Sequence, residues 1–548
     1  MNTLFKYPKP VKGALLLPER YGLNFAKEQH ASLRETDEQR KRLYTLLNSA
    51  APAGDAGRNY HKEVATTAST YLKQWLKLCD ALDFSGAQCR IAPAQPGDAS
   101  QIDGLYFAWH GSPSLRYFPA QTDASGVTHP SPFPDQQRDT SLAFETVMVL
   151  VTTAVARLNQ GVLAENDALA KAHTATSVVG CDSDALLEES LADAKEARHC
   201  NRRAFALVRL AMDRRIMFSE APVGPQALAE LDPRILEGLF HWCCARALLT
   251  HMDSMVLVEA PQLTGTQLAL KRSTYFHGVH AYATVACAGA APYGELLPVS
   301  GFGIASRLLR ADMGARTTLA YSRYIIDEYN DKARSDQTTS LFPAPPNDVA
   351  YGLVLHGLHL LADAQVTTIP LLPDTSRVRI ELWWKKLGDL MREELAVIKH
   401  NNAITNKMLP TIEMVCQNPT FFIGAIDARP FTWPSEFADR NMQELSDELE
   451  FRIPVRPPSN SDGGTTAPAP VAHPVVAPVV APAPVRPRPT PVAKVEPPPK
   501  PKEPAATGTM DTFDGTFLAF PSVPSTPLPA LPDDVHEVVQ KCAEQTAD

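Results

Sequence analysis

The sequence predicts an all-α, mostly helical domain with a small β element near the N-terminus, followed by a disordered proline-rich tail. Apolar residues recur at helical spacing through most of the first 408 residues, and strand signals are few. Prolines collect near the end, where 21 of the 48 lie between Arg456 and Pro532. Because proline removes backbone donors and this stretch has few large apolar side chains, no packed core is expected there.

The first 140 residues mix helical and irregular sequence. We expect short strands at 13–18 and 104–109, a charged and exposed helix at 34–47, and a long loop at 111–138, where Pro, Ser, Gly and Asp are frequent. The strongest helical signal begins at Tyr60, where i, i+3, i+4, i+7 spacing puts eight side chains on one face. These are Val64, Ala68, Tyr71, Leu72, Trp75, Leu78, Cys79 and Leu82.

The rest of the domain is predicted as a series of antiparallel helices. No convincing fixed-period repeat is present, so a repeat protein is not predicted. The helices are expected at 140–160, 161–173, 184–216, 233–259, 263–287, 302–333, 349–363 and 378–408.

We expect one helical domain at 1–435, with a core at about 1–370 and extra C-terminal helices at 378–445, and a disordered tail at 446–548. In the tail, Pro521, Pro524 and Pro527 recur every three residues, which aligns them on one edge of a polyproline II helix. SH3-like and other proline-binding domains recognise this geometry. A passive spacer is the alternative interpretation of the tail.

The net charge of −9, from 52 basic and 61 acidic residues, argues against a nucleic-acid-binding protein. The nine cysteines are odd in number and none forms a C-x-x-C pair, which favours free buried thiols in a reducing compartment. No uninterrupted apolar run approaches about 20 residues, so no membrane span is predicted. Any membrane association is therefore expected to be peripheral.

Two histidine pairs are the first candidates for chemistry. His277 and His280, and likewise His356 and His359, are three residues apart, so each pair lies on one helical face. A catalytic zinc site needs a third ligand and a nearby carboxylate base, and no H-E-x-x-H motif is present. Ordinary surface or core histidines are therefore favoured, and neither a metal nor a cofactor is predicted.

Cys243 and Cys244 lie in a long apolar helix, where core packing is favoured over a catalytic thiolate. The segment 300–306 is rich in glycine, but its surroundings are helical, so it favours a helix–helix turn over a phosphate-binding loop. No P-loop and no nucleophile-elbow motif occurs. The residues alone therefore predict no catalytic site and no enzyme.

Two segments resemble a known family. The helix from Ser141 to Leu150, SLAFETVMVL, resembles the S-L-x-[YF]-E-K-x-x-V-L-F-N helix of the BRO-one domain family. Upstream, Phe107-Ala-Trp109 resembles that family's F-x-W-x-D strand. The resemblance extends over roughly residues 1–370 and identifies a divergent member.

The departures from the family pattern are specific. Gly111 stands where the strand motif has aspartate, and Thr146 stands where the helix motif has lysine. The family's N-D-x-I-Y segment is matched only at its start, by Asn330 and Asp331.

The resemblance implies a curved, TPR-like helical domain that binds the C-terminal amphipathic helix of an ESCRT-III subunit in an apolar groove. By position, the groove residues are Leu249, then Leu268 or Leu270, and then Arg272. The implied protein is a non-enzymatic adaptor or scaffold in endosomal sorting, multivesicular body formation or membrane remodelling. It would be cytoplasmic, lie peripherally on endosomal membranes and recruit partners through its proline-rich tail.

Three alternatives stay open. The first is a PalA-like scaffold of ambient-pH signalling, in which the same domain holds other peptides. The second is a helical metallohydrolase, which needs the two histidine pairs to converge with an acidic residue. The third is a structural or viral assembly protein, which self-association without helix binding would favour.

Overall fold

The structure is a computed structural model in which helices dominate, so the predicted all-α class is confirmed. The residues that it describes are 4–11, 27–49, 55–81, 107–115, 121–122, 128–129, 133–139, 142–177, 182–216, 227–259, 262–290, 300–334, 346–372, 374–405, 409, 414–415, 426 and 429–451.

Ten α-helices lie within the described ranges, and consecutive helices from α1 to α9 pack against each other. Single 3-10 turns at Ala229–Leu231 and Ile369–Leu371 join neighbouring helices. The helices are α1 Lys27–Asn48, α2 Asp55–Ala81, α3 Leu142–Ser177, α4 Ser183–Ile216, α5 Pro233–Glu259, α6 Gly265–Ala290, α7 Gly301–Arg334, α8 Pro346–Thr367, α9 Asp374–Thr405 and α10 Ser435–Leu449.

The β element is a small antiparallel sheet in the strand order β1-β2-β5, with Trp109 of β2 opposite Gln137 of β5. The predicted loop at 111–138 is wrong in part, because it contains a two-stranded ladder and most of β5. The strand expected at 13–18 lies outside the described residues. The strands are β1 Lys9–Pro10, β2 Phe107–His110, β3 Gln121–Thr122, β4 Thr128–His129 and β5 Gln136–Asp139.

The helix α3 is continuous where the sequence predicts two helices. Gly161 stands at the expected break, yet a Cβ at this position would lie 3.1 Å from Asn201 Oδ1 and 3.2 Å from Cys200 Cβ. The glycine therefore allows α4 to approach closely instead of ending the helix. By length and composition α3 is apolar enough to cross a membrane, but its apolar window is 83% buried inside the fold, which core packing explains.

The prediction that the charged helix at 34–47 is exposed is wrong for one of its faces. Leu33, Leu43 and Leu47 of α1 are at most 5% exposed, and Arg40 between them is 4% exposed. Spacing of three, four and seven residues places all four on one side. This side packs on α2, and the exposed charged residues are Arg34, Glu35, Glu38, Lys41 and Arg42.

Buried side chains form two clusters. The first core cluster joins the sheet to α1–α6, to α10 and to the first part of α7, and the second core cluster joins α7, α8 and α9. All residues of the face predicted for α2 that have described side chains are buried, except the half-buried Cys79. The predicted amphipathic pattern of α2 is thereby confirmed.

The two motif segments meet at one buried carboxylate. Glu145 of the SLAFE helix is fully buried and accepts hydrogen bonds from Trp109 Nε1 at 2.5 Å, Tyr71 Oη at 2.6 Å and Arg40 Nε at 2.9 Å. Charge-assisted bonds of this kind offset the cost of burying a carboxylate. The motif residues therefore hold β2, α1, α2 and α3 together.

The departures from the motifs have local reasons. Thr146 accepts a hydrogen bond from Trp75 Nε1 at 2.8 Å. A lysine at this position could not accept this bond, because its ammonium group is only a donor. A Cβ at Gly111 would lie 3.2 Å from Glu230 Oε2, and Glu230 is fully buried. An aspartate at 111 would thus bring a second carboxylate against a buried one.

Candidate functional site

The predicted groove leucines have different surroundings. Leu249 lies on α5, is 8% exposed and belongs to the first core cluster. Leu270 lies on α6 and is half-buried against the second core cluster. Both side chains therefore contribute to packing within the domain.

Leu268 and Arg272 are placed differently. Both are half-buried on α6, and their spacing of four residues puts them one turn apart on one face. Leu268 belongs to neither core cluster. Within the described part of the chain, the side chain of Arg272 has no ion pair or hydrogen bond. An apolar side chain and a cation are thus available side by side.

The start of α6 is fixed by a capping box. The backbone N–H of Gln267 donates to Thr264 Oγ1 at 3.3 Å, and the N–H of Thr264 donates to Gln267 Oε1 at 3.1 Å. These reciprocal bonds satisfy donors that a helix start leaves without partners. They position the first turns of α6, including Leu268.

The surface between α5 and α6 is partly occupied by a later segment of the chain. We call residues 429–434 the aromatic strap. The surface beneath the strap is called the α5–α6 groove and is defined by Cys244, His251, Tyr275, Gly278 and Tyr282. The strap is joined to α6 by a backbone bond from Phe431 N–H to Thr274 O at 3.2 Å. A Cβ at Gly278 would lie 2.6 Å from Phe431 O, so glycine is needed for this approach.

Aromatic rings continue from the groove onto α10. Tyr275 stacks on Phe431 with centroids 4.8 Å apart, and Trp433 stacks on Phe437 of α10 at 3.9 Å. Trp433 is 5% exposed, and its Nε1 donates to Cys244 O at 3.4 Å. Buried aromatic rings of this size dominate local packing energy. The strap therefore fills its part of the groove tightly.

Acidic side chains hold α10 against basic residues of earlier helices. Glu444 pairs with Arg202 at 3.0 Å and with Arg203 at 3.3 Å. Glu448 pairs with Arg157 at 2.7 Å and with Arg203 at 2.8 Å. Partial burial raises the pKa of Glu444, but the two arginines outweigh it and the net pKa is lowered. All four pairs favour the docked position of α10.

The C-terminal end of α10 is fixed by α2. Lys73 and Lys77 reach Glu450 at 2.6 and 2.8 Å, and their hydrogen bonds lower the pKa of this carboxyl to about 2. Glu450 has φ 48°, in the left-handed region where glycine is usual at a helix end. The two lysines help to hold a side-chain-bearing residue in this conformation.

Among the described residues the strap covers only part of the α5–α6 groove, and we call the remaining part, at the start of α6, its open end. On α6, Leu268, Tyr275 and Tyr282 are seven residues apart, so they follow one face. Contacts of the strap with α6 run from Thr274 to Tyr282 among the described residues. Leu268 and Arg272 lie before them, toward the start of the helix. Both are half-buried, and Leu268, unlike Leu249 and Leu270, packs in neither core cluster.

One histidine pair, His356 and His359, is buried, and the other is half-buried. His356 and His359 are 2% and 4% exposed, and His280 Nδ1 lies 2.8 Å from Arg310 O. Burial, with a smaller contribution from the neighbouring His359 and His280, lowers the pKa of His356 to about 3. His277 is half-buried. The described residues contain no group of three or more His, Cys, Asp or Glu side chains that could hold a metal ion.

The cysteines that the structure describes are free, and Cys243 and Cys244 are fully buried. Burial raises the pKa of both thiols well above the ordinary value, so they stay protonated and unreactive. Their predicted role in core packing is confirmed. Pro521, Pro524 and Pro527 lie outside the described residues.

Sequence reasoning missed the strap and the role of α10. The signal was present as aromatic residues at 431, 433 and 437 and as two acids four residues apart at 444 and 448. Nothing local in that pattern shows which distant helices it covers. The residues were therefore interpreted only as extra C-terminal helices.

No protein-family model matches the sequence, and no curated protein matches it. The chain is similar to three solved structures that carry a Bro1 domain or ALIX in their descriptions. An "ALIX BRO1 CHMP4C complex" has 14% identity and a TM-score of 0.45, and the similarity covers 75% of this chain and 90% of that one. A complex of ALIX with "the SIVmac239 PYKEVTEDL Late Domain" has 14% identity and a TM-score of 0.46, covering 75% of this chain but 47% of that one.

The third structure, described as "Structure basis for endosomal targeting by the Bro1 domain", has 12% identity and a TM-score of 0.41. The similarity covers 82% of this chain and 97% of that one. At these identities the likeness concerns the fold and defines neither a partner nor a site of this chain.

Proposed function

We propose that this chain is a non-enzymatic scaffold that binds an amphipathic helix of a partner protein at the open end of the α5–α6 groove. The observation that carries the proposal is the pair Leu268 and Arg272, half-buried on one face of α6 and lying before the contacts of the strap. A helix in a groove needs exposed aliphatic side chains at helical spacing and no catalytic group.

The chain's own C-terminal segment supports this choice of ligand. The neighbouring α4 already accepts an amphipathic helix, α10, through apolar side chains such as Phe437 and acids such as Glu444. A partner helix with an apolar side chain for Leu268 and an acidic side chain for Arg272 would use the same chemistry.

The class of partner follows from the motif resemblance of residues 107–109 and 141–150. We propose the C-terminal helix of an ESCRT-III subunit, which places the scaffold in endosomal sorting and membrane remodelling, on the cytoplasmic side of endosomal membranes. The proline-rich tail, with Pro521, Pro524 and Pro527, would recruit an SH3-like or other proline-binding domain.

The test is a fluorescence-anisotropy titration of the full chain against a labelled ESCRT-III C-terminal helix. We expect a Kd in the micromolar range for the wild type. Leu268→Asp should weaken binding by about tenfold or more, because a carboxylate without a partner is costly to desolvate in an apolar contact. Arg272→Glu should weaken binding through charge repulsion.

The matched control is Leu187→Asp on α4, where the leucine is 43% exposed and far along the chain from α6. It should bind as the wild type does. Circular dichroism should show the same helix content for all variants. Absence of binding by the wild type would contradict the helix-binding proposal, and equal losses in Leu187→Asp and Leu268→Asp would contradict the site.

A further inference from the structure

The helix α9 exposes an apolar face. Ten large hydrophobic side chains are exposed among the described residues, and five of them lie on this one helix. Their exposed fractions run from 45% to 68%, so all five side chains are well exposed to solvent. They are Val378, Leu382, Trp383, Leu390 and Val397.

This exposed face differs from the face by which α9 packs. The packed side carries Trp384, Leu387, Met391, Leu395 and Ile398, which are buried in the second core cluster. The exposed stripe follows positions 382, 386, 390, 393 and 397, a spacing of four, four, three and four residues that keeps one side of a helix. Helix α9 is thus apolar on two sides, of which one is packed and the stripe is exposed. Trp383 lies at the edge of the stripe, where its Nε1 donates to Asp312 Oδ1 of α7 at 3.4 Å and Arg316 lies over its ring.

The two charges in the stripe are arranged symmetrically. Lys386 and Glu393 are exposed, and neither has an ion pair with another residue that the structure describes. The midpoint between 386 and 393 is also the midpoint between Leu382 and Val397. Leu390 lies next to this point. The stripe therefore has the same order of apolar and charged positions on both sides of one centre, with opposite charges at equal distances.

We propose that α9 is the interface of a homodimer in which two copies of the helix pair antiparallel about a twofold axis near Leu390. In a twofold interface, residues at equal distances from the axis meet. Lys386 then faces the partner's Glu393, and Leu382 faces the partner's Val397. Leu390 contacts the partner's Leu390 close to the axis.

The charge pattern favours a second copy in this orientation. A parallel pair would place Lys386 against the partner's Lys386 and Glu393 against the partner's Glu393, and like charges in contact disfavour association. The antiparallel pair instead gives two opposite-charge contacts from one pair of residues. The stripe is complementary to itself and needs no other protein to supply the matching charges.

Sedimentation velocity of the full chain over a range of concentrations tests the dimer. The wild type should show a monomer–dimer equilibrium. Lys386→Glu and Glu393→Lys should each weaken dimerisation by about tenfold, because each reversal creates two like-charge contacts across the axis. The double variant Lys386→Glu/Glu393→Lys should recover dimerisation, since both pairs are restored in reverse.

An equimolar mixture of the two single variants should also dimerise, because every contact across the axis is then between opposite charges. Lys385→Glu is the matched control: it reverses an exposed charge of α9 outside the stripe and should leave dimerisation unchanged. A wild type that stays monomeric, or single variants that the mixture does not rescue, would overturn the proposal. Neither result depends on whether a partner helix binds at Leu268.

Discussion

A single carboxylate, that of Glu145, receives hydrogen bonds from Arg40 of α1, Tyr71 of α2 and Trp109 of β2. We expect Glu145→Gln to lower the free energy of unfolding by about 3 kcal/mol, because it removes the negative charge that pairs with the buried cation of Arg40. Urea denaturation measures this change. The exposed Glu38→Gln on α1 is the control and should change stability by less than about 0.5 kcal/mol. If Glu145→Gln also lowered the free energy of unfolding by less than about 0.5 kcal/mol, the proposed role of this hydrogen-bond network would be contradicted.

The buried His356 predicts a loss of stability in acid. Burial, with His359 and His280 as neighbours, lowers its pKa from 6.5 to about 3, so the folded state keeps it neutral while the unfolded chain takes up a proton. The resulting stability is complete above pH 6.5 and is lost as the pH falls from there toward 3.

Urea midpoints of the wild type and His356→Gln, each measured at about pH 7 and about pH 5, test this linkage. The variant should lose less stability between the two values than the wild type does. Part of the loss should persist, because burial also lowers the pKa of His280 and His241 to about 4. Identical losses in both proteins would argue against His356 as a contributor.

At this scale the sequence predicts motif residues better than it predicts their partners. Phe107, Trp109 and Glu145 were recognisable from short patterns, but the convergence of Trp109, Tyr71 and Arg40 on Glu145 depends on four elements meeting. Thr146 and Gly111 depart from the family pattern. In the fold, Thr146 accepts a bond from Trp75, and Gly111 leaves room for Glu230.

Among the elements, α10 is held by partly exposed ion pairs as well as by buried apolar side chains such as Leu445, so its docking should respond to a change of charge. We expect Glu444→Gln/Glu448→Gln to weaken its docking by about 1 kcal/mol, since four pairs with arginines lose their charge. Hydrogen exchange of residues 435–449 should then be faster by roughly fivefold, while α3 and α4 keep their protection.

The control for that experiment is Asp439→Asn, which removes an exposed charge of α10 that faces away from the arginines. Its exchange should match that of the wild type. Equal exchange in the double variant and the wild type would show that the ion pairs do not hold α10. High salt should reproduce part of the effect of the double variant, because it screens exposed pairs.

Element boundaries were predicted where local signals agree with packing. The face of α2 was correct because the same residues that repeat at helical spacing are those that the fold buries. The boundary placed in α3 was wrong because an isolated glycine in a helix is locally unfavourable, whereas Gly161 is used for close contact with α4. The prediction that α1 is exposed was wrong for one face, because the many charged residues of this helix hide the spacing of its few apolar residues in the sequence.

For the whole molecule, helical periodicity predicts the class but not the long-range order of the chain. Consecutive helices pack on each other, and this much follows from short connections. The contact of residues 429–451 with α2, α4, α5 and α6 does not follow from short connections, because residues in contact there, such as Lys77 and Glu450, are separated by 373 positions. No local pattern contains information about such a contact.

That return contact also sets the order in which the domain is completed during synthesis. The helices α2 and α4 leave the ribosome long before the segment that covers them. Until then, Tyr275 and Tyr282 lack their aromatic cover, and the arginines at 157, 202 and 203 lack their acidic partners. A nascent chain, or one ending before Arg429, would therefore expose a hydrophobic and locally basic surface of the kind that chaperones bind.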